Sequence, residues 1–266
     1  MTTRNWYGRL GLVLTVLMVG FAGVGMFWTP YEPTAMVGAD RYAAPSLAHP
    51  FGCDQLGRDI LSRTMEGAGS TLMIALAVLA IGFVAGLLIG AFCGYFGGVV
   101  DALVMRICDA LAAFPSILLA LVVLAVIGPG KYNVIGALGI LFIPSFARLV
   151  RGEFLKVRDR DFVRSARLMG VSNGRILFVH ILPNTWPTLL SGLTIGFNNA
   201  VLSEASMSYL SIGVTAPDVS LGRMLNEAQA VWSTAPWCML CPALVVVLTI
   251  LGVSMLGEGL RERMAA

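Results

Sequence analysis

Few side chains in this 266-residue chain could do chemistry, because only 12% of its residues are charged and 57% are hydrophobic. Two acidic residues stand out at the edges of apolar stretches, Asp109 in MRICDALAAFP and Glu204 in LSEASMSYLSIGV. An ionisable side chain in such surroundings is a candidate for lining a polar translocation path. Either residue could instead be a structural partner for a neighbouring helix. Asp109 also follows Arg106 at the three-residue spacing of a local helical ion pair.

Motifs for metal, redox or nucleotide chemistry are weak or missing. Cys238 and Cys241 in WCMLCP form one C-x-x-C pair, whereas structural zinc sites use four ligands and redox pairs sit in soluble folds. We interpret both cysteines as packing residues. The two histidines, His49 and His180, fall on opposite faces of the topology predicted below. The sequence has no G-x-x-x-x-G-K-[ST] phosphate loop, no H-E-x-x-H and no G-x-S-x-G, so we expect no catalytic residue, no metal site and no resident cofactor.

Six long apolar stretches are the elements that would hold these side chains in place. They lie between Arg9 and Glu32, Glu66 and Asp101, Asp109 and Lys131, Lys131 and Arg148, Arg175 and Glu204, and Glu227 and Glu258. A helix needs roughly 20 apolar residues to cross about 30 Å of hydrocarbon. The fourth stretch has only 16 residues, and it crosses if Lys131 and Arg148 extend toward the two interfaces. The pattern predicts an all-α polytopic membrane protein with six transmembrane helices.

Basic residues are distributed unevenly over the two faces that six helices create. Thirteen fall on the face that carries both termini, eight of them in the loop between the fourth and fifth helices, and five fall on the other face. Because Lys and Arg concentrate in cytoplasmic loops, we expect a multi-pass protein of the cell inner membrane with both termini cytoplasmic. The segment GMFWTPYEP offers no A-x-A-like cleavage site, so we expect the first helix to remain uncleaved.

A glycine ladder in the second apolar stretch allows two interpretations. Gly82, Gly86, Gly90 and Gly94 are four residues apart and share one face of a helix. Small residues at this spacing let two helix backbones approach closely in lipid. The ladder is therefore either ordinary packing within one subunit or a tight seam between helices that slide or tilt.

The long basic loop contains small residues in a helical pattern. The segment RDFVRSARLMG predicts a short helix that ends at Gly170, with Val163, Ala166 and Gly170 on one face. Arg164 and Arg167 flank that face. The small side chains leave room for another surface to approach closely. A solvated basic loop that only fixes topology is the alternative, but basic bias alone does not account for the order of small residues.

The second half of the loop leads back into the membrane. Ser172 is a candidate N-cap for a further helical segment. Pro183 falls where the chain enters the fifth apolar stretch, where it would start or kink a helix. A short helix held between two spans in this way would act as a lever, because a force on it passes to both spans.

The loop resembles the cytoplasmic loop of ABC-importer permeases, whose pattern is roughly E-A-A-x-x-x-G followed by I-x-L-P. Here Arg164, Ser165 and Ala166 stand at the start of that pattern, Gly170 at its glycine and 181–183 at its ending. The resemblance covers nearly the whole chain, through HPFGCDQLGRDILSR, GYFGGVVDALVMRICDALAAFP, ARLVRGEFL, SEASMSYLSIGVTAP and GEGLRERM. Together these blocks are similar to the second, C-type permease subunit of the dipeptide, oligopeptide and nickel branch.

This resemblance implies the type I ABC importer permease fold and a set of partners. The implied partners are a homologous second permease in a heterodimer, two ATPase subunits that bind ATP and Mg²⁺, an extracytoplasmic solute-binding protein and membrane lipid, with no nucleic acid. It also implies two parts of the chain: residues 1–70 with the first helix and an external segment, and residues 71–266 with a five-helix core and a coupling loop at 152–184.

The resemblance further assigns roles to residues of the loop. Its short helix would dock on one ATPase through Val163, Ala166, Leu168, Met169 and Gly170. Arg164 and Arg167 would be flanking charges, and His180 and Pro183 would brace the base of the fifth span. The pattern has Glu where this chain has Arg164, which implies a correspondingly acidic surface on the ATPase.

The cargo implied by the branch is a dipeptide or oligopeptide, and the same machinery could instead import nickel or a nickel chelate. A self-sufficient secondary carrier or channel is the alternative from another class. Such a carrier should show inverted repeats and broken helices at the membrane midplane, and the sequence has no clear internal repeat. Purified alone, a carrier would also transport along a substrate gradient.

Overall fold

A computed structural model describes residues 4–265, and this part of the chain is helical without a β-strand. The long helices that contact each other most are α2 and α5, and α1 packs along the last helix. The helices are α1 (Arg4–Phe27), α2 (Ile60–Phe96), α3 (Gly98–Ala112), α4 (Ser116–Ile127), α5 (Lys131–Val157), α6 (Asp161–Leu168), α7 (Asn173–Arg175), α8 (Leu182–Tyr209), α9 (Leu221–Gln229) and α10 (Trp237–Ala265). The all-α fold class is confirmed.

Five helical segments of the described chain are long enough and apolar enough to cross a membrane, and a bent pair of helices would make a sixth. The five are Trp6–Phe27, Ile60–Phe96, Lys131–Val157, Asn173–Tyr209 and Trp237–Met264. The third apolar stretch of the sequence is instead a pair of helices, α3 and α4, that bend by 85° at their junction. Pro115 occupies the N-cap of α4, where proline lacks the N–H that would continue α3 and disfavours a helical residue before it.

The fourth span is longer than its charge-free window. Helix α5 has 27 residues, or about 40 Å at 1.5 Å per residue, so it crosses the hydrocarbon without help from its terminal residues. Lys131 begins the helix, as expected, and Arg148 lies inside it. The charge-free window underestimated this helix because Arg148 and Arg151 pair with carboxylates of α3 and remain helical.

The glycine ladder is the contact face of α2 against α5. A Cβ added at Gly82, Gly86 or Gly94 would come within 2.5–2.7 Å of a Cβ atom of Phe142, Phe146 or Phe154. A methyl group cannot fit at such distances, so the two backbones approach as closely as glycine allows. The ladder therefore packs two helices of the same subunit, and a sliding or tilting motion along this seam stays a prediction.

A second glycine seam joins α1 to α10, which run antiparallel. A Cβ at Gly259 would lie 2.5 Å from the Cα of Gly8, and one at Gly252 would lie 2.9 Å from the backbone nitrogen of Thr15. Helix α1 also packs on α2 beside Gly25. The first helix is thus part of the same bundle as the other spans.

The division at residue 70 does not correspond to a structural boundary. Helix α2 runs without interruption from Ile60 to Phe96, so the proposed limit between residues 1–70 and 71–266 falls inside one helix. Residues 1–3 and 266 lie outside the described residues. The limit at residue 70 therefore does not coincide with a helix end, because the segment 28–59 leads directly into α2. The division into two parts stays a prediction.

Candidate functional site

The short helix of the loop forms where the sequence predicts it, and a glycine ends it. In α6, Gly170 has a φ of +75°, which glycine adopts without the clash that a Cβ would cause. The N–H of Val171 donates to the carbonyl of Ala166 at 3.1 Å, and that of Gly170 donates to the carbonyl of Arg167 at 3.0 Å. These two bonds form a Schellman cap. The carboxylate of Asp161 lies in the first turn, where it stabilises the helix by interacting with the positive end of the helix dipole.

One face of α6 is buried against the rest of the protein. Val163 and Ala166 are 0% and 2% exposed and belong to a hydrophobic cluster with Phe154, Ile176 and Ile181. Neither side chain can reach a partner in this arrangement, so the prediction that they form a docking surface is corrected. Their spacing of three residues places both on one stripe of α6, and the packing shows that this stripe faces inward.

The exposed side of α6, at its C-terminal end, carries two large apolar side chains. Leu168 and Met169 are 90% and 75% exposed, and Arg164 and Gly170 are exposed beside them. A Cβ at Gly170 would meet nothing within 4 Å, so its surroundings are open. These four residues, Arg164, Leu168, Met169 and Gly170, are called the α6 tip below.

Polar contacts fix α6 to the end of α2. The guanidinium of Arg167 lies 4.8 Å from the ring centroid of Tyr95, and its Nε donates to the Tyr95 hydroxyl at 3.3 Å. That hydroxyl donates in turn to Asn173 Oδ1 at 2.8 Å. Arg167 is therefore a link to α2 as well as a charge beside the tip. Only the structure identifies Tyr95 and Asn173, since no sequence motif singles them out.

A distorted helical segment connects α6 to α8. Ser172 occupies the N-cap of α7 without a side-chain cap bond, and 176–181 forms a π-helical turn. Pro183 is at the start of α8, as predicted. Its missing N–H cannot join the regular ladder, which accounts for a wider turn just before it. The carbonyl of His180 accepts a 2.7 Å bond from Asn184 Nδ2, so His180 lies at this junction.

A large cavity opens between α4, α5 and α8. It has a volume of about 540 Å³, and apolar side chains form most of its wall. Ser116, Ser145, Asn199 and Ser203 contribute uncharged polar groups. A smaller cavity of about 230 Å³ shares Ser116 and Ser145 with it and includes Arg148. The wall therefore combines apolar area with a few hydrogen-bonding groups, as small-molecule sites do.

Asp109 lies next to the smaller cavity, but its partner differs from the one expected. Its carboxylate is 3.4 Å from the Arg148 guanidinium of α5, and no ion pair with Arg106 is present among the described residues. One turn further along α5, Arg151 binds Asp101 with two bonds of 2.5 and 2.6 Å. Local spacing suggested Arg106, whereas the packing of α3 on α5 brings Arg148 nearer. Its role in a path remains a prediction.

Glu204 is fully buried and does not line either cavity. The Ser208 hydroxyl donates to its Oε1 at 2.7 Å, and the same hydroxyl accepts from the N–H of Val214 at 3.0 Å. The other oxygen, Oε2, is buried and has no hydrogen-bond partner among the described residues. The bonds through Ser208 support the alternative in which Glu204 is a structural partner, joining α8 to the segment before α9. Its role in a path remains a prediction.

A cluster of charges joins the segment between α1 and α2 to the bundle at the end opposite α6. Arg58 Nε is 2.6 Å from Asp54 Oδ2, and its Nη2 is 2.9 Å from Glu227 of α9. Arg63 of α2 bonds both carboxylates, with 2.8 Å to Glu227, and Arg223 lies 3.0 Å from Glu227. Sequence reasoning assigned these residues no role. The available signal was the run CDQLGRDILSR, in which charges recur beside the start of a span.

The cysteines form no disulfide and hold no metal-like constellation within the described residues. Burial, together with the nearby carboxylates of Asp59, Asp40 and Asp54, raises the pKa of the Cys53 thiol to about 11. The thiol therefore stays protonated near neutral pH, and thiolate is the form that binds metals and reacts. The Cys238 thiol faces the Cys53 carbonyl at 3.7 Å, which agrees with a packing role.

The spans surround the cavity, and the short helix α6 lies at one end of the bundle. This arrangement is that of an importer permease. A chain from the inward-facing MetNI methionine ABC transporter has this fold, with a TM-score of 0.65 over 76% of this chain and 95% of its own length. The two sequences are 20% identical, so this likeness concerns the fold alone. The predicted type I importer permease fold is confirmed.

Sequence comparison defines the family. The model of the binding-protein-dependent transport system inner membrane component matches residues 86–266. The dipeptide transport system permease protein DppC of Alkalihalophilus pseudofirmus is 38% identical over 97% of this chain and 85% of its own length. The glutathione transport system permease protein GsiD of Escherichia coli is 42% identical over 97% and 86%. This chain belongs to the family of binding-protein-dependent transport system inner membrane components, and the resemblance stated from the sequence is confirmed.

Proposed function

We propose that this chain is the transmembrane permease subunit of an ATP-driven ABC importer of small peptides. The observation that carries the proposal is α6, which buries Val163 and Ala166 in the bundle and presents an apolar tip on the other side. An exposed tip on a firmly seated helix is suited to receive force from another subunit. The chain supplies no phosphate loop of its own, so partner ATPase subunits would bind ATP and Mg²⁺.

The contacts of α6 describe how force would pass from such a partner into the membrane. The buried face presses on Phe154 of α5 and Ile181 before α8, and Arg167 holds the end of α2 through Tyr95. Closure of an ATPase pair against the tip would therefore displace three spans together. With a homologous second permease, the same displacement would switch the paired bundles between inward- and outward-facing forms.

The tip residues divide the docking role in a specific way. Leu168 and Met169 would insert into the ATPase, and large apolar side chains surrounded by polar ones commonly dominate such contacts. Arg164 would pair with an acidic group of the ATPase. His180 and Pro183 would brace the base of α8.

Peptides are the cargo that the observations favour. The relatives carry dipeptide and glutathione in their names, and the large cavity presents hydroxyl and amide groups on an apolar wall. Such groups match the amide bonds and varied side chains of peptides. An extracytoplasmic solute-binding protein would deliver the cargo to this wall.

The membrane orientation is part of the same proposal. The α6 end of the bundle would face the cytoplasm, with both termini, because eight basic residues lie in and beside this loop and positive charge accumulates on that side. The charge cluster around Glu227 would then face outward, toward the solute-binding protein.

The test uses the complete transporter, co-expressed with its ATPase, second permease and binding protein and reconstituted into liposomes. Met169→Asp should lower ATP-driven peptide uptake at least about tenfold, because a desolvated apolar contact gains a charge. Met169→Leu keeps the apolar area and should retain uptake. The amount of ATPase that co-purifies with each variant should follow the same order.

Full uptake and full ATPase recovery with Met169→Asp would contradict docking at the tip. Uptake driven by a peptide gradient in liposomes that contain this chain alone would favour the self-sufficient carrier instead. If the wild-type complex imports Ni²⁺ but no peptide, the proposed cargo is wrong, while the proposed ATP-driven import still holds.

A further inference from the structure

Arg148 is distinct among the residues that line the two cavities. The walls of the large and small cavities share Ser116, Leu141 and Ser145, so the two cavities adjoin each other. The smaller cavity lies beside the junction of α3 and α4 and has Arg148 of α5 in its wall. Of the described residues in both walls, Arg148 alone is charged. A solute that passes along these adjoining cavities would meet a single guanidinium.

The chemistry of that wall matches one class of solute group. Ser145, Asn199 and Ser203 line the cavity, and their hydroxyl and amide groups can form hydrogen bonds with uncharged polar atoms of a solute. The guanidinium of Arg148 presents parallel N–H groups in the fork that fits a carboxylate. A carboxylate attached to an amide-containing chain would satisfy both parts of the wall.

Two ion pairs between α3 and α5 show why Arg148 is free to take such a ligand. Arg151 and Asp101 form a bidentate pair whose carboxylate is only 10% exposed. Arg148 and Asp109 make a single contact of 3.4 Å, and their side chains are 42% and 65% exposed. A long pair with exposed side chains contributes little to stability, whereas a short bidentate pair holds two helices together. The Arg151–Asp101 pair is therefore the clamp, and the Arg148–Asp109 pair can open.

We propose that Arg148 contacts the cargo: its guanidinium leaves Asp109 and binds the terminal carboxylate of a peptide that moves along the cavity. Asp109 is the resting partner, which neutralises Arg148 between transport cycles. The proposal rests on the proposed function, since it requires a cargo with a carboxylate. It assigns to this chain a part of cargo selection that is separate from the binding protein.

The experiment compares two probes in the reconstituted complex: trialanine with a free carboxylate, and trialanine amide. Each uptake rate for a variant is divided by the wild-type rate for the same probe, so the preference of the binding protein cancels. Arg148→Gln should lower uptake of the free acid roughly 10- to 100-fold relative to the amide, as expected when a hydrogen bond to a charged group is lost. Arg148→Lys should lose less.

Two further variants separate cargo contact from a helix clamp. Asp109→Asn removes the competing carboxylate, so the ratio of acid uptake to amide uptake should rise above the wild-type ratio. The double exchange Arg148→Asp with Asp109→Arg restores an ion pair but places a carboxylate in the cavity, and it should not restore acid uptake. Arg151→Gln is the matched control: it should lower the amount of assembled complex without changing the ratio.

Each outcome decides the proposal. It is overturned if Arg148→Gln lowers acid and amide uptake equally, or if the double exchange restores the wild-type ratio. If Arg148→Gln does not assemble, Asp109→Asn decides alone, since a clamp predicts loss of uptake of both probes and a cargo contact predicts a higher ratio. A wild-type complex without ATP-driven uptake of either probe would overturn the proposed function, and this inference with it.

Discussion

A single backbone angle decides where α6 ends. Gly170 has a φ of +75° and open space around its Cα, so the requirement for glycine there is conformational and does not come from close packing. The sequence indicated both the helix and the glycine that caps it. The sequence pattern suggested that Gly170 is small so that a partner can approach, whereas the Schellman cap accounts for the glycine within the chain.

Gly170→Ala should weaken this cap by about 1 kcal/mol, because alanine pays for a left-handed conformation that glycine adopts freely. Hydrogen–deuterium exchange of the Val171 amide in nanodiscs should accelerate accordingly. Gly170→Asn should fall between alanine and wild type, since asparagine tolerates this region better. Equal exchange in all three proteins would show that the cap bonds do not protect α6.

Buried charge at the other end of the bundle gives a second prediction. Glu227→Gln leaves Arg58 and Arg63 beside a neutral group, although Asp54 still faces both. Asp54 still neutralises both guanidinium groups, so the variant loses charge-assisted hydrogen bonds and not the whole network. The expected cost is about 1.5–3 kcal/mol, and thermal unfolding in detergent should begin at a lower temperature. Asp159→Asn breaks an exposed pair with Arg158 and should change stability by less than about 1 kcal/mol. Equal midpoints for the two variants would contradict this account.

Among the elements, α2 and α5 form the axis on which the others pack. Their contact depends on the glycine ladder 82–94 of α2, which has no side chains on that face. Phenylalanine side chains of α5 therefore pack directly against the α2 backbone. Helix α6 is then seated on the ends of both helices. The consequence is that α6 cannot shift by a large amount without moving this pair.

Gly86→Ala should therefore disturb the bundle, because its Cβ would lie 2.5 Å from the Cβ of Phe146. We expect a loss of about 1–3 kcal/mol, as for other over-packed cores, read as a lower unfolding midpoint in detergent. Gly152→Ala is the control on α5, where an added Cβ meets nothing within 4 Å. That variant should be neutral or up to about 1 kcal/mol more stable. A Gly86→Ala protein as stable as the control would contradict a close seam.

At the scale of the whole molecule, the two ends of the bundle differ in chemistry. One end carries the α6 tip and the concentration of arginines, and the other carries the paired charges around Glu227. This asymmetry is the basis of the proposed orientation. The native cysteines give a low background for testing it, since Cys53, Cys93, Cys108 and Cys238 are buried and the partly exposed Cys241 lies in the apolar helix α10.

A membrane-impermeant maleimide should label Leu47→Cys in intact spheroplasts, because Leu47 is fully exposed in the segment between α1 and α2, which the proposed orientation places outside. Met169→Cys in the α6 tip should react only after the membrane is opened. The wild-type protein should react slowly on either side. Labelling of Met169→Cys in intact spheroplasts, with protection of Leu47→Cys, would reverse the orientation.

The sequence by itself determined the class of this protein, since apolar length, charge asymmetry and recurring blocks are properties of the chain before it folds. Periodicity and turn chemistry also placed α6, Gly170 and Pro183, because helix ends depend on neighbouring residues. Only the tertiary structure decided which residues face inward and which contact each other. Helical spacing cannot distinguish an inward stripe from an outward one in a short helix. The inward position of Val163 and Ala166 therefore became clear only from their packing against α5 and α8. Arg148 and Asp109 are 39 residues apart in the sequence, and they meet only because α3 packs on α5.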